Sequence, residues 1–327
     1  MIAARLRLCI ALAALAVLAV GTSRLPSQPE ASQWYKGNLH THTINSDGDS
    51  SPDAVARWYK EHRYHFLALT DHNYFTDPQG LNAFLAARDR FLLITGEEVT
   101  SGFEGAPIHV NAFRLKATIP PASGRSVLDT LQANVDRIRD ADAVPSLNHP
   151  FYRWAIDPDI FRRAASLKLF EVFNGIRDTN DEWDLEAMWD SALSAGREIY
   201  GIAVDDAHEF KQFGPERSNP GRGWVRVRAT GLSEELLLSA IERGDFYAST
   251  GVEFASLQRT ADGISLRIAP QGDERCLIRF VGKGGRVLSE STGLEGRYSL
   301  KPGDGYVRAS VRDSAGRRAW VQPVFEN

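Results

Sequence analysis

Cysteine is almost absent: this chain of 327 residues has two, Cys9 and Cys276. Cys9 lies at the start of an apolar leader, so a processed chain keeps only Cys276 and forms no internal disulfide. Thiolate metal sites and cysteine nucleophiles go with it. Cys276 stands in the strand-like stretch Arg275–Phe280 and reads as a small core residue. Excess positive charge is also missing. The formal net charge is −4, and loss of the leader with Arg5 and Arg7 leaves −6. Such a chain has no general pull on nucleic acid, so duplex DNA binding is not expected and any phosphate recognition must be local. The third lack is of long apolar runs. Leu8–Val20 is about 13 residues, short of the roughly 20 that span a bilayer. It follows Arg5 and Arg7 and ends in Ala19-Val20-Gly21, the build of a signal peptide over 1–21. Export to a periplasm or secretion is expected, with an uncleaved N-terminal anchor as the alternative and no stable membrane span. Residues 22–33, with Pro26, Ser27, Pro29 and Ser32, read as a linker.

What the chain does have is an alternation of short apolar runs with amphipathic stretches, the pattern of α/β architecture. Strands are expected at Trp34–Leu39, Phe66–Thr70, Phe91–Thr95, Ile108–Phe113, Val144–Leu147, Leu167–Phe173 and Ile199–Val204. Helices are expected from Ser51-Pro52, around Ser126–Asp140 and around Trp183–Ala195; the first has serine at its N-cap and proline at its first turn. Val55, Trp58 and Tyr59 fall at helical spacing toward a core. After Gly223 a strand at Trp224–Arg228 and a helix capped by Ser233 follow. From about Val252 only short strand-like runs remain, separated by Gly, Asp and Ser turns. They read as a small antiparallel β-domain over 251–327, sandwich-like, with Arg308, Arg312, Arg317 and Arg318 on a solvated strand face.

His40-Thr41-His42 closes the first strand, and residues two apart in a strand share a side, so the two imidazoles can converge. Later strands end in Asp71-His72-Asn73, Gly96-Glu97-Glu98-Val99, Asn148-His149-Pro150 and Asp205-Asp206-Ala207-His208, while His109 lies within the fourth. His40, His42, His72, His109, His149 and His208 are six of the chain's eight histidines. Parallel α/β sheets and barrels place chemistry where their strands end, and scattered surface histidines would not fall into this register. His62 and His65, flanking the first helix, read as exposed or helix-terminal. Imidazole and carboxylate without thiolate suit Zn²⁺, Mn²⁺ or Fe²⁺.

The ordered set LHTHTINSDG, LTDHN, GEEV, the isolated His109, NHP and DDAH resembles the polymerase and histidinol phosphatase (PHP) superfamily of metal-dependent hydrolases, over roughly residues 36 to 210. The resemblance implies a distorted seven-stranded β/α barrel, here 34–250, holding two or three divalent ions. By that likeness His40, His42, Glu98 and Asp206 hold the first ion. Glu98 bridges to a second, held with His109 and His149, and Asp47, His72 and His208 form a third site. The family's Gly-x-Glu and Asp-x-His patterns select Glu98 over Glu97 and Asp206 over Asp205. Asp47 stands where some members have histidine. Asp71 and Asn148 are expected to hydrogen-bond around the ligands. Asp206 and His208 are the candidates for moving protons.

The family's common chemistry is phosphoester hydrolysis by a metal-bound hydroxide. The primary expectation is accordingly a phosphoesterase acting on small phosphoesters or short nucleic acids, of the nucleoside bisphosphate phosphatase or 5′-3′ exonuclease type. Arg153, Arg177 and Lys211 are the cations expected to meet a small anionic substrate or a short oligonucleotide; Arg217 and Arg222 follow on the loop after His208. Phe151 and Trp154 could stack on a ring or cover the rim. The segments WYKGNLHTHT, WYKEHRYHFLALTDHN and YVRASVRDSAGRRAWVQPVF look like the carbaryl-hydrolase-like branch, which implies a carbamate or carboxylic ester as the alternative substrate. A metal-binding or adhesion module without catalysis is the other reading. The sequence leaves the oligomeric state open.

Overall fold

The computed structural model describes residues 32–85, 90–176, 185–272 and 275–326. The expected signal peptide, most of the expected linker and Arg177 lie outside them. The first half of the architecture runs β1 (Gln33–Asn38), α1 (Pro52–Glu61), β2 (Phe66–Ala68), α2 (Gln79–Leu85), β3 (Leu92–Ile94), β4 (Gly96–Phe103), β5 (Ala106–Phe113), α3 (Val127–Asp140), β6 (Val144–Leu147), α4 (Pro158–Arg163), β7 (Leu169–Asn174), α5 (Leu185–Ser194) and β8 (Tyr200–Val204). The second half runs β9 (Trp224–Ala229), α6 (Glu234–Glu242), β10 (Phe246–Ser249), β11 (Phe254–Thr260), β12 (Gly263–Ile268), β13 (Cys276–Gly282), β14 (Arg286–Thr292), β15 (Glu295–Ser299), β16 (Tyr306–Asp313) and β17 (Arg318–Phe325). Among the described residues, no helix is long and apolar enough to cross a membrane.

Local chemistry accounts for most boundaries. Ser126, Asp157 and Ser233 cap α3, α4 and α6 by accepting from the backbone N–H three residues on. Ser51 occupies the N-cap position of α1 as expected, yet its hydroxyl donates to Asp53 instead. Val55, Ala56 and Tyr59 are the residues α1 buries; Trp58 is half-buried and stacks on His62. The stretch after the third expected strand is not a strand end. It continues as β4 and folds back as β5 through Glu104-Gly105, both at positive φ, the two-residue turn that suits the twist of a hairpin.

The strands expected to form a distorted seven-stranded barrel lie in two sheets that do not close on each other. Parallel β1, β2 and β3 belong to a nine-stranded sheet ordered β14-β13-β16-β17-β10-β9-β1-β2-β3. Strands β4 to β8 form a second sheet in chain order, antiparallel through β6 and parallel from β6 to β8. The chain passes between the sheets at Thr95, whose backbone N–H and hydroxyl both donate to Glu234. Elsewhere the sheets meet at isolated bridges, Thr41 with Ala207 and His72 with Glu98. A hydrogen-bonded ladder therefore does not run around the whole circuit.

The C-terminal region is β-rich. Strands β11, β12 and β15 form a three-stranded sheet. It encloses a core of Phe254, Leu257, Ile264, Cys276, Ile278, Phe280, Val307, Val311 and Val321 against β13, β16 and β17. The second layer of this sandwich is the far end of the nine-stranded sheet, joined to β1 through β10 and β9. The arginines on its other face are not uniformly solvated. Arg308 is 1% exposed, and its guanidinium makes paired 2.7 Å contacts to Asp190 with a further bond to Glu186, both on α5. Arg317 is held by Asp313, while Arg312 is exposed.

Candidate metal centre

Backbone hydrogen bonds draw the strand ends together. Asp206 N–H donates to His40 C=O at 3.0 Å, His42 N–H to Ala207 C=O at 2.9 Å, Thr70 N–H to Thr41 C=O at 2.9 Å and Glu98 N–H to Asp71 C=O at 3.2 Å. Asn148 N–H donates to His109 C=O at 3.2 Å. Residues spread from 40 to 208 thereby reach one region.

There, nine side chains gather in four overlapping groups whose donor atoms lie within 4.8 Å of one another: His42, Asp47, His72 and His208; His40, His42 and Asp206; His40, Glu98 and His149; and His72, Glu98 and His109. These are the nine residues that the motif resemblance singled out. At the centre, His40 Nε2 and His42 Nε2 are 3.1 Å apart. His40 Nε2 lies 3.5 Å from Glu98 Oε2 and 3.2 Å from Asp206 Oδ1; His42 Nε2 lies 3.4 and 3.1 Å from the same two oxygens. On the far side of Glu98, Oε1 is 2.9 Å from His109 Nδ1 and 3.4 Å from His149 Nε2. Asp47 sits outward, half-exposed, 3.4–3.5 Å from His42, His72 and His208.

Among the described residues, the buried Glu98 Oε2 and Asp206 Oδ1 have no hydrogen-bond partner, although His72 Nδ1 approaches Glu98 Oε2 to 2.9 Å. Two bare carboxylate oxygens in a dry site are costly unless a cation faces them. That observation, with the all-imidazole and carboxylate donor set, fits a divalent ion. Burial resists ionisation of Glu98, but His40 and His109 beside it hold its carboxyl well below the usual range. Burial likewise opposes charge on His40, and Asp206, Glu171 and Glu98 overcome it and push the imidazole up. His42 goes the other way, down to about 4, through burial and the facing His208. Asp47 stays ionised despite its partial burial, because His208 and His72 donate to it.

The neighbours of these residues behave differently. Glu97 turns to the other face of β4, as alternation requires, and accepts from Ile119 N–H at 3.0 Å. Asp205 accepts from the Tyr59 hydroxyl and the N–H groups of Arg222 and Gly223. Asn148 bonds Glu98 Oε1 at 2.8 Å. Asp71 reaches no ligand side chain; it accepts from Thr43, Ser46 and Thr76 and so fixes the loop between His42 and Asp47.

The rim is only partly basic. Arg153 lies on a turn in which it and Trp154 both have positive φ, and its guanidinium sits 5.3 Å over Tyr152. Tyr152 presents its edge to His149 at 5.3 Å. Lys211 is exposed, and its backbone N–H is held by Asp49. Arg217 pairs with Glu209, and Arg222 bonds the Gly214 and Gly175 carbonyls, so both are committed to contacts within the protein. Two residues went unread in the sequence. Glu171 and Asn174 on β7 are fully buried, Glu171 Oε1 lies 2.6 Å from His40 Nδ1, and Asn174 Nδ2 reaches Asp206 Oδ2 at 3.0 Å. A single acid inside the apolar run LKLFEVF was the available signal.

No family model and no curated protein matches the chain. Among solved structures it is similar to a two-domain protein containing a predicted PHP-like metal-dependent phosphoesterase from Bacteroides vulgatus. That match has 16% identity and a TM-score of 0.50, over 88% of this chain and 92% of that one. A lesion-specific endonuclease from Pyrococcus furiosus matches at 14% identity and TM-score 0.42, over 65% of this chain and 56% of that one. An amidohydrolase from Chromobacterium violaceum matches at 16% and 0.40, over 56% and 93%.

Proposed function

On a chain with the PHP-superfamily fold, we propose a metal-dependent phosphoesterase that hydrolyses small phosphoesters or the ends of short nucleic acids. The observation that carries this reading is the central cradle, where two orphaned carboxylate oxygens face two imidazole nitrogens at 3.1–3.5 Å. His40, His42, Glu98 and Asp206 would hold one divalent ion, Glu98, His109 and His149 a second, and Asp47, His72 and His208 a third. Bound there, such ions supply Lewis-acid stabilisation of negative charge and acidify water at neutral pH.

The chain's own residues do the rest. The buried walls exclude bulk water from His40, His42, Glu98 and Asp206, each 3% exposed or less. His208 Nδ1 is tied to the Asp206 carbonyl at 2.9 Å, which leaves Nε2 beside Asp47 as the atom that would bind the third ion or, with that ion absent, hold a proton. Arg153 and Lys211 are the rim cations offered to an anionic substrate, which needs them because the chain as a whole is acidic. Export by the leader 1–21 enters this proposal from the sequence alone and would make the enzyme a scavenger.

The test is to measure bound metals on the purified mature chain. It is then assayed on aryl phosphate mono- and diesters, a 3′,5′-nucleoside bisphosphate, a short oligonucleotide and an aryl methylcarbamate. Phosphate release that a chelator abolishes, and that falls to background in His40→Ala, is expected. Carbamate turnover without phosphate release would replace the phosphoester reading with the ester one. A fully loaded chain that turns over none of these is a binding module.

A further inference from the structure

Each carboxylate of the central cradle has one oxygen turned toward imidazoles and the other held by an asparagine amide. Asn148 Nδ2 donates to Glu98 Oε1 at 2.8 Å, and Asn174 Nδ2 donates to Asp206 Oδ2 at 3.0 Å. Asn174 Nδ2 also donates to Glu171 Oε2 at 2.8 Å. The same Oε2 accepts the backbone N–H of His149 at 2.7 Å, while Oε1 lies 2.6 Å from His40 Nδ1. One buried carboxylate on β7 thus reaches His40 and His149 directly, and Asp206 through Asn174. His149 and Asp206 both have positive φ, at 21° and 50°, a conformation that side chains other than glycine hold only when surrounding contacts impose it. Glu171 and Asn174 supply such contacts to both.

We propose that Glu171 and Asn174 are positioning residues that decide which atoms of His40, His149 and Asp206 face the ion; this rests on the metal reading above. With Glu171 Oε1 as acceptor, His40 carries its proton on Nδ1 and presents Nε2 to the cradle. A carboxylate hydrogen-bonded behind a ligating imidazole also makes it a stronger donor. Asn174 occupies Oδ2 of Asp206 and leaves Oδ1 toward His40 and His42. Without this pair the ligating atoms of His40 and Asp206 would have no fixed identity.

Glu171→Gln tests this sharply. The amide has a single oxygen, and the His149 N–H and the Asn174 amide both need an acceptor there. Its NH₂ must then face His40 Nδ1, which drives the imidazole proton onto Nε2, the atom that faces the cradle, and blocks it as a ligand. The experiment strips the full chain with a chelator, titrates Zn²⁺ against a competing chromophoric indicator, and records the Co²⁺ absorption spectrum. Glu171→Gln should weaken the tightest Zn²⁺ site about 10–100-fold and alter the Co²⁺ bands. Asn174→Ala should do the same to a smaller degree, and it carries the test if Glu171→Gln does not fold. Variants with wild-type affinity and an unchanged Co²⁺ spectrum overturn the positioning role and leave the metal reading standing, even where melting temperature falls. A wild-type chain that binds neither Zn²⁺, Co²⁺ nor Mn²⁺ overturns both.

Discussion

Glu97 and Glu98 are chain neighbours that meet opposite surroundings. Glu98 faces histidines on every side, and they keep it ionised. Glu97 is buried with one backbone N–H to accept from, and burial pushes its carboxyl up to about 7. Between the ordinary carboxylate range and pH 7 the folded chain therefore holds a proton that the unfolded chain has released. Stability is lost as pH rises through that window and is unaffected below it. Glu97→Gln should accordingly stabilise the chain at pH 8, on the order of 3 kcal/mol, and make no difference near pH 4. Denaturant unfolding of both proteins at the two pH values checks this; an equal gain at pH 4 would show that the carboxyl is not the cause. Six of the nine gathered donors, the histidines, were legible at this scale because they recurred at or near strand ends; Asp47, Glu98 and Asp206 came from the family likeness. Glu171 and Asn174 were not legible, since one acid within a strand carries no pattern and its histidine partners lie 22 to 131 residues away.

At the scale of elements, α5 is anchored to β16 and β17 by a buried polar network. Arg308 binds Asp190 and Glu186, Tyr306 donates to Asp190, and Trp320 Nε1 donates to Glu186. Removing one partner of such a set strands the opposite charge without water. Arg308→Ala should therefore cost about 3–5 kcal/mol in denaturant unfolding, against little change for the exposed Arg312→Ala. Equal, small effects would mean the network is solvated after all. The sequence showed the alternation that puts Arg308 and Arg312 on one face of a strand. It did not show that a helix more than a hundred residues earlier covers half of that face. The same limit explains the sheets. Short apolar runs revealed seven of the eight strands from β1 to β8. The hairpin turn at Glu104-Gly105 was hidden because Glu97 to Val99 read as a strand end rather than a strand start.

For the whole molecule, most of the imidazoles at the centre hold a proton more tightly than free histidine does, His42 excepted. His72 is raised to about 10, where Asp47 and Glu98 outweigh its burial. His149 and His208 are raised as well, again against burial, by Glu98 and by Asp47 in turn. A divalent ion must displace these protons, so its affinity should rise with pH, and calorimetry at pH 7 in two buffers should detect more than one proton released per chain. No buffer dependence would sink this. The shared sheet has its own consequence: a chain cut at residue 250 strips β17 from β10, whose four residues are all buried. We expect that fragment to aggregate rather than to fold as a free barrel, as size-exclusion chromatography would show. Finally, the backbone leaves the circuit of strands unfinished between β1 and β8, where the Thr41–Ala207 bridge stands in place of a ladder. His40 and His42 lie on one lip of that seam and Asp206 on the other. An ion shared by them would act as a clasp, so amide hydrogen exchange at His42 and Asp206 should slow on loading while the ladders on either side exchange as before.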